Sequence, residues 1–184
     1  MLDDAGYETA AVIPDAYFDR LRWPSVTRGF QRVDDSALRV GKHNAPAVTD
    51  AALRILSENR ERPLFLWVHY YDAHPPYVRL AGVQYPDRTD RALYEAELTY
   101  LDREVGRVLD AVAQRPDPTY VIVTADHSTV FHPNPALRRG HYGYDLYTAT
   151  LNVPLIVNGP QVHPGRVDEL VSTMDITPTV LDLA

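Results

Sequence analysis

Apolar and polar positions alternate between two periods along this chain, and the switches between them mark out the elements. Thr9 to Ile13 is a short apolar run that predicts a strand. It follows Leu2 to Gly6, which reads as a helix end with Gly6 as its stop. Residues 14–45 show weak periodicity, with Pro14, Pro24 and Gly29, and predict a loop with one short helical turn. From Pro46 to Asn59 the apolar positions Val48, Ala51, Ala52, Ile55 and Leu56 recur at helical spacing, with proline suited to the first turn. Leu64 to Tyr70 is apolar throughout and predicts a second strand. Pro75 and Pro76 cannot continue a ladder, so residues 72–77 read as a loop.

A long helix follows over Asp90 to Gln114, its buried stripe formed by Tyr94, Leu98, Leu101, Val105, Val108 and Val112. Tyr120 to Thr124 is a short β-branched run of the kind a central parallel strand needs, since both faces of such a strand are covered. Residues 129–144 carry no periodicity and read as a loop, with a short helix over Asp145 to Thr150. Val153 to Asn158 predicts another strand, and Asp175 or Thr177 a cap for a last helix carrying Val180 and Leu181. The alternation of strand and helix predicts an α/β fold, a mainly parallel sheet with helices on both faces.

Composition narrows the function classes. The 184 residues suit one large domain, and 45% hydrophobic content supports a sizeable core. A net charge of -7, with no basic block, argues against nucleic acid as a partner. The absence of cysteine excludes disulfides, thiolate zinc sites and a cysteine nucleophile within these residues. No run approaches the ~18 apolar residues of a membrane helix, and the first residues lack the basic start and apolar core of a signal peptide.

In open α/β sheets, ligands sit beyond the carboxyl ends of the strands. Two strands end there in suggestive chemistry. The first delivers His69, Asp72 and His74, and the second delivers Asp126 and His127, with His132 and His141 in the loop beyond. An adjacent Asp and His can give an oxygen and a nitrogen to one divalent cation, or simply cap a turn. Histidines can donate to a phosphoryl or sulfuryl oxygen or protonate a leaving alkoxide. Not every candidate reads as functional. His69 lies within an apolar run and reads as a core histidine bonded to backbone, His132 as a loop residue and His163 as solvated surface. Asp3–Asp4 reads as an exposed helix end, and Asp34–Asp35 offers no better case for a metal.

Four stretches, in order and at matching spacing, resemble the sulfatase family of the alkaline-phosphatase-like superfamily. Phe65 to Tyr77 is similar to a strand and loop ending in Pro-His-x-Pro-Tyr, and Val123 to Ser128 to a Thr/Ser-Ala-Asp-His/Asn-Gly segment. Gly140-His141-Tyr142-Gly143, Leu146-Tyr147 and Asn152 to Pro160 resemble Gly-His-Gly, Leu-Tyr and Val-Pro-Leu-Ile-x-x-Gly-Pro, and Met174 to Thr179 resembles Val-Asp-Ile-x-Pro-Thr. The resemblance implies metal-assisted hydrolysis of sulfate esters. By it Asp126 and His127 are metal ligands, most often for Ca2+ (Mn2+, Mg2+ and Zn2+ being alternatives), and His74 and His141 hold sulfate oxygens or serve the leaving group. It also implies a small-molecule or carbohydrate sulfate ester as substrate, and a periplasmic or secreted location.

The chain departs from the family pattern as well. Ser128 stands where glycine is usual, and Thr129 where an acidic residue is common. The family opens with a strand ending in paired aspartates and then Cys/Ser-x-Pro-x-Arg, whose Cys or Ser becomes a formylglycine nucleophile. Neither motif occurs here. Residues 1–184 are therefore expected to be a partial catalytic domain, without the nucleophile and paired-aspartate segment or the C-terminal subdomain, and inactive alone. Two other functions compete with this expectation. One is a phosphoryl enzyme of the same superfamily (a phosphodiesterase, phosphonate monoester hydrolase or phosphoethanolamine transferase), and the other is a non-catalytic binding module.

Overall fold

A computed structural model describes residues 1–14, 26–41, 43–58, 61–80, 83, 85, 89–131 and 148–184. They fall into two compact units, Met1–Gln114 and Arg115–Leu183.

The first unit is built on a three-stranded parallel sheet. Strand β1 (Glu8–Val12) is central, flanked by β2 (Arg32–Asp34) and β3 (Leu64–Val68). Ala10 pairs with Arg32 on one side and Leu66 on the other. Strand β2 lies within the stretch expected to be loop. Three residues, two of them charged, leave no period to read, and the strand forms because β1 presents an edge to pair with. The expected helical turn is the 3₁₀ turn Ser36–Arg39. Residues 2–6, expected to be a helix end, form turns rather than a helix, and Gly6 closes them at φ +90°, a left-handed value that costs a side-chain-bearing residue strain.

Alternate residues of the sheet meet different surroundings. Ala10 and Val12, with the half-buried Leu64, Leu66, Val68 and Tyr70, face helix α1 (Ala45–Ser57), whose Val48, Ala51, Ala52 and Ile55 complete the buried cluster. On the other parity, Phe30 stacks on Phe65 and Trp67, both at ring separations of 5.9 Å, and Trp67 touches the His69 ring. His69 is half-buried, and its N–H donates to the Val12 carbonyl, continuing the β1–β3 ladder.

Helix α2 (Asp90–Ala113) brings Val108 to the same cluster. Its predicted stripe is only partly right. The fully covered residues are Ala92, Ala96 and Glu97, whereas Leu98 is 38% exposed. The expected apolar face is thus displaced toward two small residues and a carboxylate.

In the second unit, β4 (Val121–Thr124) pairs with β5 (Leu155–Asn158), Val121 opposite Asn158 and Thr124 opposite Leu155. The pairing is antiparallel, against the expectation of a parallel β4. A β-branched run fits either ladder, and composition does not encode direction. Nor is β4 buried on both faces, because Thr124 is exposed. The short helix α3 (Thr148–Leu151) overlaps the predicted one. Helix α4 (Ile176–Leu183) follows a 3₁₀ turn, Thr173–Asp175, and the cap is Ser172 rather than Asp175 or Thr177. Ser172 Oγ accepts from the Met174 N–H, and Asp175 accepts from the Ser172 N–H, a reciprocal capping box. Among the described residues, two of the three strand pairs are parallel, so the sheet structure there is mainly parallel as expected.

Candidate functional site

His74 sits on the loop beyond β3. Its N–H donates to the Tyr71 carbonyl, and its ring lies flat on the Tyr71 ring at 4.3 Å. Nδ1 is 2.6 Å from the Pro75 carbonyl, which can only accept, so this bond places the proton on Nδ1. The ring is thereby fixed in one tautomer with Nε2 as its basic nitrogen. The Pro75–Pro76 peptide is cis. The loop continues into a shallow hollow of about 470 Å³ lined by Tyr77, Val78, Arg79 and Leu93.

Asp72 is fully buried, so it is not a surface ligand. Its Oδ1 accepts the N–H of Ala45, the first residue of α1, at 3.2 Å. A carboxylate there meets the positive end of the helix dipole and an otherwise unpaired N–H. Helix α1 needs this distant acceptor, because the side chain of its own N-cap residue, Asn44, instead donates to the Pro14 and Ala37 carbonyls. The Tyr100 phenol is pushed above its ordinary value, by burial first and then by the Asp72 and Glu104 carboxylates.

Asp126 and His127 lie just beyond β4, and the structure brings their side chains together. Asp126 Oδ1 accepts the N–H of His127 at 3.0 Å. His127 Nδ1 lies 3.0 Å from the Ser128 carbonyl and so carries its proton there. That leaves Nε2 facing Asp126 Oδ2 at 3.6 Å. The Ser128 N–H donates to the Thr150 carbonyl, tying the corner to α3, so serine in the usual glycine position is accommodated. Asp126 is 68% exposed and His127 36%.

This corner fits a cation. A metal-bound histidine generally gives its other N–H to a backbone carbonyl, as His127 does. One cation bonded at roughly 2.1–2.5 Å to each of two donors can bridge such a span. Among the described residues, no group of three or more His, Cys, Asp or Glu side chains forms a fuller metal shell. His74 belongs to the first unit, and Asp126 and His127 to the second. His132 and His141 lie outside the described residues.

The other candidates resolve as structural. Asp3 pairs with Arg62, which also donates to the Gly6 and Tyr7 carbonyls, and Asp4 pairs with the chain's amino terminus. Asp34 pairs with Arg54 and accepts from both the backbone N–H and the hydroxyl of Ser36. His163 is exposed, as expected. Sequence reading missed Glu97, fully buried on α2, whose Oε1 accepts the Val78 N–H at 2.8 Å. The available signal was a carboxylate beside an apolar stripe, three residues after Tyr94.

Over residues 1–184 the chain matches the family model described as Sulfatase. The chain belongs to the sulfatase family. Members of this family are sulfuric ester hydrolases. Its relatives include an uncharacterized sulfatase, YidJ, of Escherichia coli, 34% identical over 50% of this chain and 18% of that protein. The choline-sulfatase of Rhizobium meliloti is 31% identical over 53% of this chain and 19% of its own length. Human arylsulfatase K is 34% identical over 51% and 17%. The fold is shared with an alkaline phosphatase superfamily protein from Vibrio parahaemolyticus (TM-score 0.67, 21% identity, 99% of this chain and 45% of that one). It is also shared with the lipoteichoic acid synthase LtaP of Listeria monocytogenes (TM-score 0.63, 15% identity, 89% and 46%). The sulfatase chain thus spans about a fifth of the curated relatives it matches and under half of these structures. Among the described residues, no helix is long and apolar enough to cross a membrane.

Proposed function

We propose that residues 1–184 form part of the catalytic domain of a metal-assisted sulfate-ester hydrolase. Asp126 and His127 supply an oxygen and a nitrogen to a divalent cation, calcium by preference. His74 and His141 serve the sulfate oxygens and the leaving group. The observation that carries this reading is the corner in which Asp126 Oδ2 and His127 Nε2 face one another while His127 Nδ1 is held by a carbonyl.

When bound, the cation supplies positive charge against the sulfuryl oxygens. His74 contributes a ring whose proton position is set before substrate arrives. In its neutral form Nε2 accepts a proton, and in its protonated form Nε2 donates to a sulfate oxygen or to the departing alkoxide. Stacking on Tyr71 limits its rotation, so little ordering remains to be done at the moment of reaction. Residues 1–184 hold neither cysteine nor Ser-x-Pro, so a formylglycine nucleophile has to come from outside them.

Two assays test this. Calcium or manganese titration of the 184-residue chain should show weak binding, lost in Asp126→Asn and in His127→Ala; affinity unchanged in both variants refutes the metal assignment. The longest product of the gene should hydrolyse p-nitrophenyl sulfate in preference to bis-p-nitrophenyl phosphate. The reverse preference would favour phosphoryl chemistry.

A further inference from the structure

Within its own loop His74 is held by the Tyr71 carbonyl and ring and by the Pro75 carbonyl. Pro75 and Pro76 have no N–H, so two consecutive positions can make no backbone donation. At each end of the loop stands a fully buried carboxylate. Asp72, two residues before His74, accepts the first N–H of α1. Glu97, on α2, accepts the N–H of Val78, four residues after His74. One turn before Glu97, Tyr94 meets Tyr77 edge-on at 5.5 Å, so α2 grips two successive loop residues.

Burying a carboxylate is costly, and a surface loop could be held by neutral groups at lower cost. Two such costs at the two ends of one short loop mark a place where geometry matters more than stability. We infer that Asp72 and Glu97 are positioning residues for His74. They form a two-point clamp that ties its loop to the start of α1 and to the middle of α2 and so keeps the imidazole on Tyr71 with its proton on Nδ1. The inference rests on the catalytic reading of His74 for its significance, but the clamp itself can be read without any turnover.

The readout is the tautomer of His74 in the 184-residue chain, from two-dimensional proton–nitrogen correlation of the ring, assigned with His74→Gln. Wild type should show the Nδ1–H form, the less common tautomer of a free neutral imidazole. Glu97→Ala should lose that single form, the two ring nitrogens converging toward an exchange average. Glu97→Gln keeps an acceptor oxygen and should restore it. Glu97→Asp, which withdraws the acceptor by one methylene but keeps the charge, covers the case in which the alanine variant does not fold, and should also lose the form. Asp72→Asn should retain the tautomer and Asp72→Ala should lose it. A His74 ring unchanged in folded Glu97→Ala or Glu97→Asp overturns the clamp whatever the enzyme does. Failure of the functional reading shows separately: His74→Gln in the longest gene product would hydrolyse aryl sulfate as fast as wild type, and His74 would have no catalytic role to be positioned for.

Discussion

Truncating Ile55 to alanine tests the packing on which the loop anchors rest. The side chain is fully buried between α1 and the sheet, in a cluster with Ala10, Val12, Ala37, Val48, Ala51 and Ala52. The change removes three carbons, worth about 0.8 kcal/mol each in transfer, so about 2.4 kcal/mol. Four of the cluster's six other buried members are alanines, which have no side-chain length to swing into the gap. The cavity therefore persists and adds about 1–2 kcal/mol, for a total near 4 kcal/mol. Ile55→Val should cost about 1 kcal/mol. Leu109→Ala, on α2 but 41% exposed, should cost less than about 1 kcal/mol. Urea unfolding followed by tryptophan fluorescence measures all three, with Trp67 reporting from the opposite face of β3. A loss below about 1.5 kcal/mol for Ile55→Ala, or an equal loss for Leu109→Ala, would refute this account of the core.

Other outcomes follow from single contacts. Arg62→Ala removes two donors to the Gly6 and Tyr7 carbonyls and should destabilise by about 1 kcal/mol, the half-exposed position weakening each bond; a urea midpoint equal to wild type would count against it. Gly6→Ala should cost about 1 kcal/mol in the same assay because φ is +90° there. Gly159→Ala places a methyl group on the Tyr120 ring and should cost roughly 1–3 kcal/mol, recovered in part by Tyr120→Ala. Burial acts to raise the Asp34 carboxyl, but the Ser36 donors and Arg54 outweigh it and hold the group below its ordinary 3.8. Its stabilising contribution is therefore complete above that value and is lost as pH falls through the lower, folded one. Stability of Asp34→Asn relative to wild type should recover over that acid range, and a difference independent of pH would contradict the assignment.

Elements whose pattern repeats over several turns were legible from sequence. Helices α1 and α2 and strand β3 stand within two residues of their predicted ends, the helices because burial of one face leaves a period and the strand because its run is apolar throughout. Strand β2 was not legible, because its three residues pair with an edge that only the folded β1 provides. The direction of β4 was hidden for a related reason: ladder polarity is a property of the partner. In the candidate site, His74, Asp126 and His127 are residue types whose chemistry announces itself beyond strand ends. Glu97 and the anchoring use of Asp72 stayed hidden, because each depends on a backbone N–H far away in the chain. A buried carboxylate looks like a solvated one until its partner is known.

The Asp72–Ala45 hydrogen bond spans 27 residues. The first N–H of helix α1 is satisfied only where β3 has docked and the chain has turned the corner beyond it, so the opening turn depends on tertiary structure although local sequence favours the helix. Lengthening the connection between Ser57 and Leu64 should thus leave the helix intact in its middle and frayed at its start, registering as faster amide exchange at Ala45.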